Sequence, residues 1–555
     1  MLVVLIWFLL TGVFGPLFGK LSSVQENNNS SFLPKGAEAT QASELIQTFS
    51  GKDSFNFPAL VLFEGDATPK SIQAINSHLE AIGELTLAGT TAKIADYLAP
   101  GQRITAFPSE DGKAILANVP LDGNSLTKLL PNEEPVLPAI VEALREDLGP
   151  LAKENNLISY VTGPGGLLGD LFGAFGDIDS TLLLTTLGVV ALILIVVYRS
   201  PILWIIPLLS ALFALSTAGG IVYLLAKNDI IDVDGQSQGI LSVLVIGAAT
   251  DYALLLIARY REELHLHENR FDAMRAAYKG VWEPILASGS TVAISLLVLL
   301  FSQLTNTAGL GPIGAIGIAC SVITILTLLP ALLLLFGRWI FWPRRPHFDG
   351  DDHVMSGPWS KLANGIGRNP RKAWVVTGAV LLLLAFASTT LKADGIGTVD
   401  TFTGNPESVV GQKLLVTHFP GGEGDPTQIV VSADKIDAVT AAVESAPGVT
   451  EIVPFVDPMT KVMKVVNNKA ILNVTLDKAP DSVEASNDIP KIRELAKSAD
   501  ATSLVGGTSA VYHDVRAANN RDNKTIIPII LLVITIILGL LLRSILSALV
   551  LLGTV

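Results

Sequence analysis

Apolar runs of about 17 residues or more recur along this chain and set its plan. They fall at 1–18, 181–198, 202–225, 239–258, 285–302, 311–336, 374–390 and 526–542. At about 1.5 Å of rise per residue, such runs match the roughly 30 Å hydrocarbon core of a bilayer, so each is expected to be a transmembrane helix. Ile545–Val555 begins a ninth run, too short to cross, so the sequence is expected to be a fragment of a longer one. The first run lacks a basic leader and a small-x-small cleavage site, which favours a retained helix over a signal peptide. With no polar residues ahead of it, a start further upstream is expected.

Two long polar stretches, 19–178 and 391–524, alternate strand and helix periodicities instead. In the first, strands are expected at Ala59–Phe63, Arg103–Pro108, Lys113–Pro120 and Ile158–Thr162, with helices at Pro69–Leu85 and Val136–Asn155. The second repeats this with strands at Gln428–Ala433, Val449–Phe455, Lys469–Leu476 and Thr502–Val505, and helices at Lys435–Ala446 and Ser482–Ser498. Both orders are βαββαβ, the split ferredoxin-like unit. The apolar stripes Ile140, Leu144, Leu148 and Ile489, Ile492, Leu495 are expected to face these units' own cores.

The halves also match residue by residue. Phe32, Phe49 and Gly51 align with Phe402, Phe419 and Gly421 at an offset of 370. Gly163 aligns with Gly506, and Tyr198-Arg199-Ser200 with Leu542-Arg543-Ser544 at an offset of 344. Internal duplication of this kind is common in transporters. The fold class is therefore a polytopic α-helical membrane protein with two α+β domains. Its parts are a first span at 1–18, a domain at 19–178, a five-span bundle at 179–336, a loop at 337–373, a span at 374–390, a second domain at 391–524, and 525–555, holding the eighth span and the start of a ninth.

Lys and Arg sort the connections. The loop 259–284 carries Arg259, Arg261, Arg270, Arg275 and Lys279, and 337–373 carries Arg338, Arg344, Arg345, Lys361, Arg368, Arg371 and Lys372. By the positive-inside rule these loops are cytoplasmic and both large domains face outward. Within the first of them Phe271, Met274, Ala277 and Tyr278 recur at helical spacing, which predicts a short amphipathic helix on the cytoplasmic membrane surface.

Composition agrees with this plan and removes several chemistries. Of 555 residues, 50% are hydrophobic and 16% charged, and the net charge is −13. The two polar domains carry 10 basic against 20 acidic and 13 basic against 18 acidic residues, which leaves no basic face for nucleic acid. No GxxxxGK[ST] motif supplies an ATP motor. Cys320 is the only cysteine, so neither a disulfide framework nor a thiolate metal site can form. No cofactor, metal or enzymatic activity is expected.

The candidate chemistry lies in the fourth run. From Gly239 to Ala258 the only ionisable side chain other than Tyr252 is Asp251. A charge near the bilayer centre costs roughly 2.5–3.5 kcal/mol, so an intramembrane Asp is by default a hypothesis about ion or proton movement. Its rival is a structural hydrogen bond inside the bundle. Gly247, Ala248 and Ala249 would let other helices approach, and Tyr252 offers a hydroxyl that can orient a proton.

Gly247-Ala248-Ala249-Thr250-Asp251-Tyr252-Ala253, Ala258-Arg259-Tyr260-Arg261-Glu262-Glu263, Ser288-Gly289-Ser290-Thr291 and Leu329-Pro330-Ala331-Leu332, set in this order of spans and domains, resemble the MMPL family (mycobacterial membrane protein large) of the resistance-nodulation-division superfamily. The resemblance covers essentially the whole chain. It implies a proton-driven exporter in the bacterial cytoplasmic membrane, in which Asp251 and Tyr252 pair with a second Asp-Tyr on a tenth helix beyond Val555. Ser288 matches a family position near this relay; otherwise its hydroxyl would bond back to its own helix. The implied partners are membrane lipids, protons and a hydrophobic or amphipathic cargo, lipid or drug-like, with homo-oligomerisation open. A sterol-sensing-like sensor or scaffold and a SecD/SecF-like secretion accessory remain as alternatives. The cargo is expected to pass between the two domains, beside 181–198 and 526–542, where Gly165, Gly166, Gly169, Gly173 and Gly176 would make a flexible approach.

Overall fold

The computed structural model describes residues 1–554 apart from 26–33, 35, 51–55, 100–103, 124, 127–129, 133, 344, 349–357, 392–398, 400, 401, 403, 420, 421, 423, 424 and 457–461. Phe32, Gly51, Arg103, Arg344, Gly421 and Val555 therefore lie outside the described residues. The chain is mainly helical, with apolar helices and two small antiparallel sheets.

Helix α1 (Leu2–Phe18) precedes α2 (Glu38–Ser50), and the first sheet unit follows as β1 (Asn56–Glu64), α3 (Pro69–Leu79), β2 (Thr105–Pro108), β3 (Ala114–Asp122), α4 (Val136–Glu154) and β4 (Ile158–Thr162). Then come α5 (Gly163–Tyr198), α6 (Ile205–Lys227), α7 (Gly235–Leu266), α8 (Arg270–Leu297), α9 (Thr305–Phe336), α10 (Pro358–Arg368), α11 (Pro370–Ser388) and α12 (Glu407–His418). The second unit comprises β5 (Thr427–Ser432), α13 (Ile436–Val443), β6 (Val449–Pro454), β7 (Lys469–Leu476), α14 (Val483–Ala499) and β8 (Leu504–Gly506). The long α15 (Thr508–Leu542) and α16 (Ile545–Gly553) end the chain's described part. The strand orders are β2-β3-β1-β4 and β6-β7-β5-β8, antiparallel throughout, so the two units share one topology.

Local chemistry starts several helices. Thr68 caps α3 by accepting from the Ser71 amide at 3.1 Å, with Pro69 preset at the first helical position. Asp234 and Ser482 cap α7 and α14 in the same way. Six helices among the described residues are long and apolar enough to cross a membrane: α6, α7, α8 with the turn after it, α9 with the turn after it, α11 and α15. Shorter apolar helices cover Leu2–Phe18 and Leu183–Tyr198. This is a multi-pass membrane protein. Helix α1 is part of its bundle: Phe14 and Phe18 fill the hollows left by Gly220 and Gly219 on α6, and Trp7 donates to Thr327 Oγ1 at 3.0 Å.

Each sheet is covered on one face by its own helices and on the other by a helix from the opposite half. Ala59, Val61 and Phe63 of β1 pack with α3 and α4, whereas Leu60 and Leu62 meet Leu415 and Phe419 at the end of α12. Reciprocally, Ile429 and Val431 pack with α13 and α14, whereas Val430 and Ile471 meet Phe49 of α2. Phe49 and Phe419, paired by the offset of 370, thus do the same job on opposite sheets.

A charged latch holds each exchanged helix. Arg145 on α4 contacts Asp170 on α5 at 2.8 Å and Glu407 at the start of α12 at 3.4 Å. In the other half Arg493 on α14 contacts Asp514 on α15 at 2.6 Å and Glu38 at the start of α2 at 3.4 Å. Burial alone would raise the Asp170 carboxyl, but Arg145 and Ser408 outweigh it and hold the group below its ordinary range. The contribution of this latch is therefore present at neutral pH and lost only as pH falls through that lowered value.

The glycines expected to form a flexible approach are helical instead. α5 runs unbroken from Gly163, and a Cβ on Gly165, Gly166 or Gly169 would lie within 3 Å of Ala59, Val161 or Val141. They are small so that α5 can lie against the sheet, which makes the connection stiff. The repeat is also shifted by one residue from its expected register at this point. Gly163 and Gly507, at φ of +67° and +87°, stand where α5 and α15 begin, so Gly507 and not Gly506 is the counterpart of Gly163. Arg199 and Arg543 close the same helices in left-handed conformation, φ 51° and 50°.

Because Asp170 is mostly buried, Asp170→Asn is expected to destabilise the chain by about 1–3 kcal/mol, between the values for exposed and buried pairs. Asp170→Asn with Arg145→Met should recover part of this. Thermal unfolding of the full chain measures both, and an unchanged midpoint for the single variant would contradict the latch.

Candidate functional site

Helix α7 starts where Asp234 accepts from the Ser237 amide at 2.7 Å. Asp251 lies about 25 Å further along the helix and about 4 Å past the middle of the apolar run 239–258. Consecutive helical residues point about 100° apart, so Asp251 and Tyr252 occupy different faces. Tyr252 is 3% exposed and packs toward α8 and α9. Its hydroxyl lies near enough to Ser288 of α8 to interact with it, and it feels the Asp251 carboxylate. Asp251 is exposed, on a continuous uncovered stripe with Ile240, Val243, Gly247 and Leu255.

The three residues singled out from the sequence are thus brought together, with different surroundings. Thr250 is occupied by its own helix, its hydroxyl donating to the Ile246 carbonyl at 2.7 Å. Ser210, Thr217, Thr291, Ser321 and Thr324 also bond back one turn. Ser288 lies instead beside the Tyr252 hydroxyl.

Two contributors were not singled out for any role. Gly289 lets α8 and α9 meet beside Tyr252: a Cβ there would lie 2.4 Å from Val322 Cγ2 and 3.7 Å from the Tyr252 hydroxyl. Its place in Ser288-Gly289-Ser290 was a usable signal. Asp522 of α15 is 6% exposed and caps the turn between α8 and α9, accepting from the Ser302 hydroxyl at 2.5 Å and the Gln303 amide at 3.0 Å. Charges flanking an apolar run are common, so Asp522 carried no distinguishing mark.

The amphipathic pattern at Phe271, Met274, Ala277 and Tyr278 is not a separate surface helix. These residues form the first turns of α8, with Met274 and Ala277 buried in the bundle core. The reason is that α7 continues to Leu266 and gives them an apolar wall in Tyr260 and Leu264. Arg259 pairs with Glu263 at 2.7 Å, and Arg338 donates to the His267 carbonyl at 2.6 Å, fastening the turn between α7 and α8. Among the described residues no group of His, Cys, Asp and Glu is arranged to hold a metal ion.

The fold and this helix define a multi-pass membrane protein with duplicated sheet units. The chain belongs to the MMPL family, whose model matches residues 31–373 and 403–555. It is 40% identical over 560 residues to the putative membrane protein ActII-3 of Streptomyces coelicolor, covering all of this chain and 74% of that protein. It is 29% identical to the apo-petrobactin exporter of Bacillus anthracis, with 99% of this chain and 77% of the relative covered. The probable transport protein MmpL9 of Mycobacterium tuberculosis is 27% identical over 69% of this chain and 38% of its own length.

Gly289→Ala should force α8 and α9 apart at Tyr252 and cost about 1–3 kcal/mol, as overpacking does. Thermal unfolding of the full chain tests this; an unaltered melting curve would contradict the close approach.

Proposed function

We propose that this protein exports a hydrophobic or amphipathic molecule, lipid or drug-like, and that proton entry drives the export. The observation that carries the reading is Asp251, on an uncovered stripe of an apolar helix with Tyr252 and Ser288 beside it. The names of relatives as an exporter and as probable transport proteins agree with it. Asp251 is the proton carrier, and Tyr252 and Ser288 orient the proton. Charged, Asp251 needs water or a polar partner across its face; neutral, it tolerates an apolar one, so each state favours a different packing of α7.

Motion at α7 and α8 has two routes to the sheet units. Helix α5 packs on α7 and runs without a break into the first unit. Helix α15 grips the turn after α8 through Asp522 and runs into the second. The exchanged helices make the two units move as a pair. The placing of Lys and Arg supports sheet units that face outward, as porter domains, with the cargo passing between them.

Asp251→Asn keeps the side-chain shape but cannot gain or lose a proton. It should lower export at least about a hundredfold with normal folding, the scale of a lost proton-transfer group. The assay is mass spectrometry of lipids and small molecules outside cells carrying the wild-type or variant protein. Wild-type release at equal expression would refute the proton role. In the same assay Asp522→Ala should lower export about tenfold or more, because α15 loses its charge-assisted grip on the bundle; full export would remove that transmission route.

A further inference from the structure

A second site lies at the end of the bundle remote from the sheet units, where α5 finishes and α7 passes its Arg-rich turn. There a cavity of about 420 Å³ opens between α5, the turn before α6, α7 and the residues after α9. Its floor is apolar and buried: Leu203 is 1%, Ile257 1% and Phe341 4% exposed. Its rim includes Val197, which is 50% exposed on the lipid-facing side of α5.

Three polar side chains converge on this apolar chamber. Arg261 lines it and has no carboxylate partner among the described residues, whereas its neighbour Arg259 pairs with Glu262 at 3.0 Å. Glu262, the one acid in the lining, shares Arg259 with Glu263, which the same guanidinium holds at 2.7 Å. His265 lies one turn beyond Arg261 on the same face. Tyr198 is 8% exposed, and its hydroxyl has no hydrogen-bond partner among the described residues. A buried hydroxyl left unpaired costs free energy that a ligand acceptor would return.

We infer that this cavity binds the headgroup of an anionic glycerophospholipid from the adjacent leaflet. The phosphate meets Arg261, His265 and the Tyr198 hydroxyl, and the chains leave along Val197 over the bundle surface. The volume lies in the range of small-molecule pockets and suits a headgroup with its glycerol but not a whole lipid. Guanidinium and phosphate are matched in geometry and charge, and the apolar floor excludes the water that would otherwise screen them. The site does not depend on the proton role of Asp251.

Binding of dihexanoylphosphatidylglycerol to the detergent-solubilised full chain tests the inference, with dihexanoylphosphatidylcholine and inorganic phosphate as the other arms. Native mass spectrometry counts bound lipid and titration yields Kd. The glycerol lipid should bind at least about tenfold more tightly than the choline lipid, and phosphate at the same concentration should not displace it. Arg261→Gln should weaken the glycerol lipid about tenfold and leave the choline lipid unchanged. Tyr198→Phe, which keeps the ring packing, should weaken it about threefold to tenfold. Equal binding of the two lipids, or an Arg261→Gln variant with wild-type Kd, would overturn the site. Displacement by equimolar phosphate would make it a free-anion site and also overturn the lipid assignment.

Discussion

The structure depends on the cost of a carboxylate in hydrocarbon. Asp251 sits midway along a helix whose other residues are chosen for lipid or for neighbouring helices, and a charge there costs a few kcal/mol unless something polar meets it. Its neighbour on the chain is fully packed, whereas its own face meets none of the described residues. In the proposed mechanism, close packing at Gly289 and Val322 keeps the packed side of α7 from absorbing a change in Asp251 protonation locally.

The rest of the molecule is suited to carry a displacement a long way. Helix α5 has 36 residues and α15 has 35, each longer than a bilayer requires, and the excess in each case is the part that docks on a sheet unit. The exchange of α2 and α12 then prevents either unit from moving alone. An apolar plug at Phe49 or Phe419 and a latch at Arg493 or Arg145 hold each exchanged helix, so separating the units would expose apolar sheet faces and leave buried charges unpaired.

Much of this was legible in the chain, for identifiable reasons. Long apolar runs have few alternatives to membrane helices, and the strands at Ala59–Phe63 and Gln428–Ala433 were found because their residues suit sheets. The exchanged helices were not found, because α2 and α12 are short and only partly apolar and their apolar residues serve the sheet of the other half. One trace of them was present: Ala59 to Phe63 is apolar at five consecutive positions, which a sheet open on one face does not need. Polar helix extensions were missed because hydropathy marks only the apolar part of α5, α7 and α8. The glycines of α5 signified close packing where composition suggested flexibility. At the candidate site Asp251, Tyr252 and Ser288 stood out by chemistry and by resemblance. Asp522 did not, since its role depends on a turn more than two hundred residues away.

The central claim is that Asp251 takes up and releases a proton within the folded bundle. Infrared difference spectroscopy of the membrane-reconstituted protein, taken between acidic and alkaline buffer, reads this without knowledge of the cargo. A protonated-carboxyl band should appear at acidic pH in the wild type and be missing from Asp251→Asn, with the amide bands of both proteins alike. Identical carboxyl difference spectra for the two proteins would mean that Asp251 does not titrate, and would contradict the account.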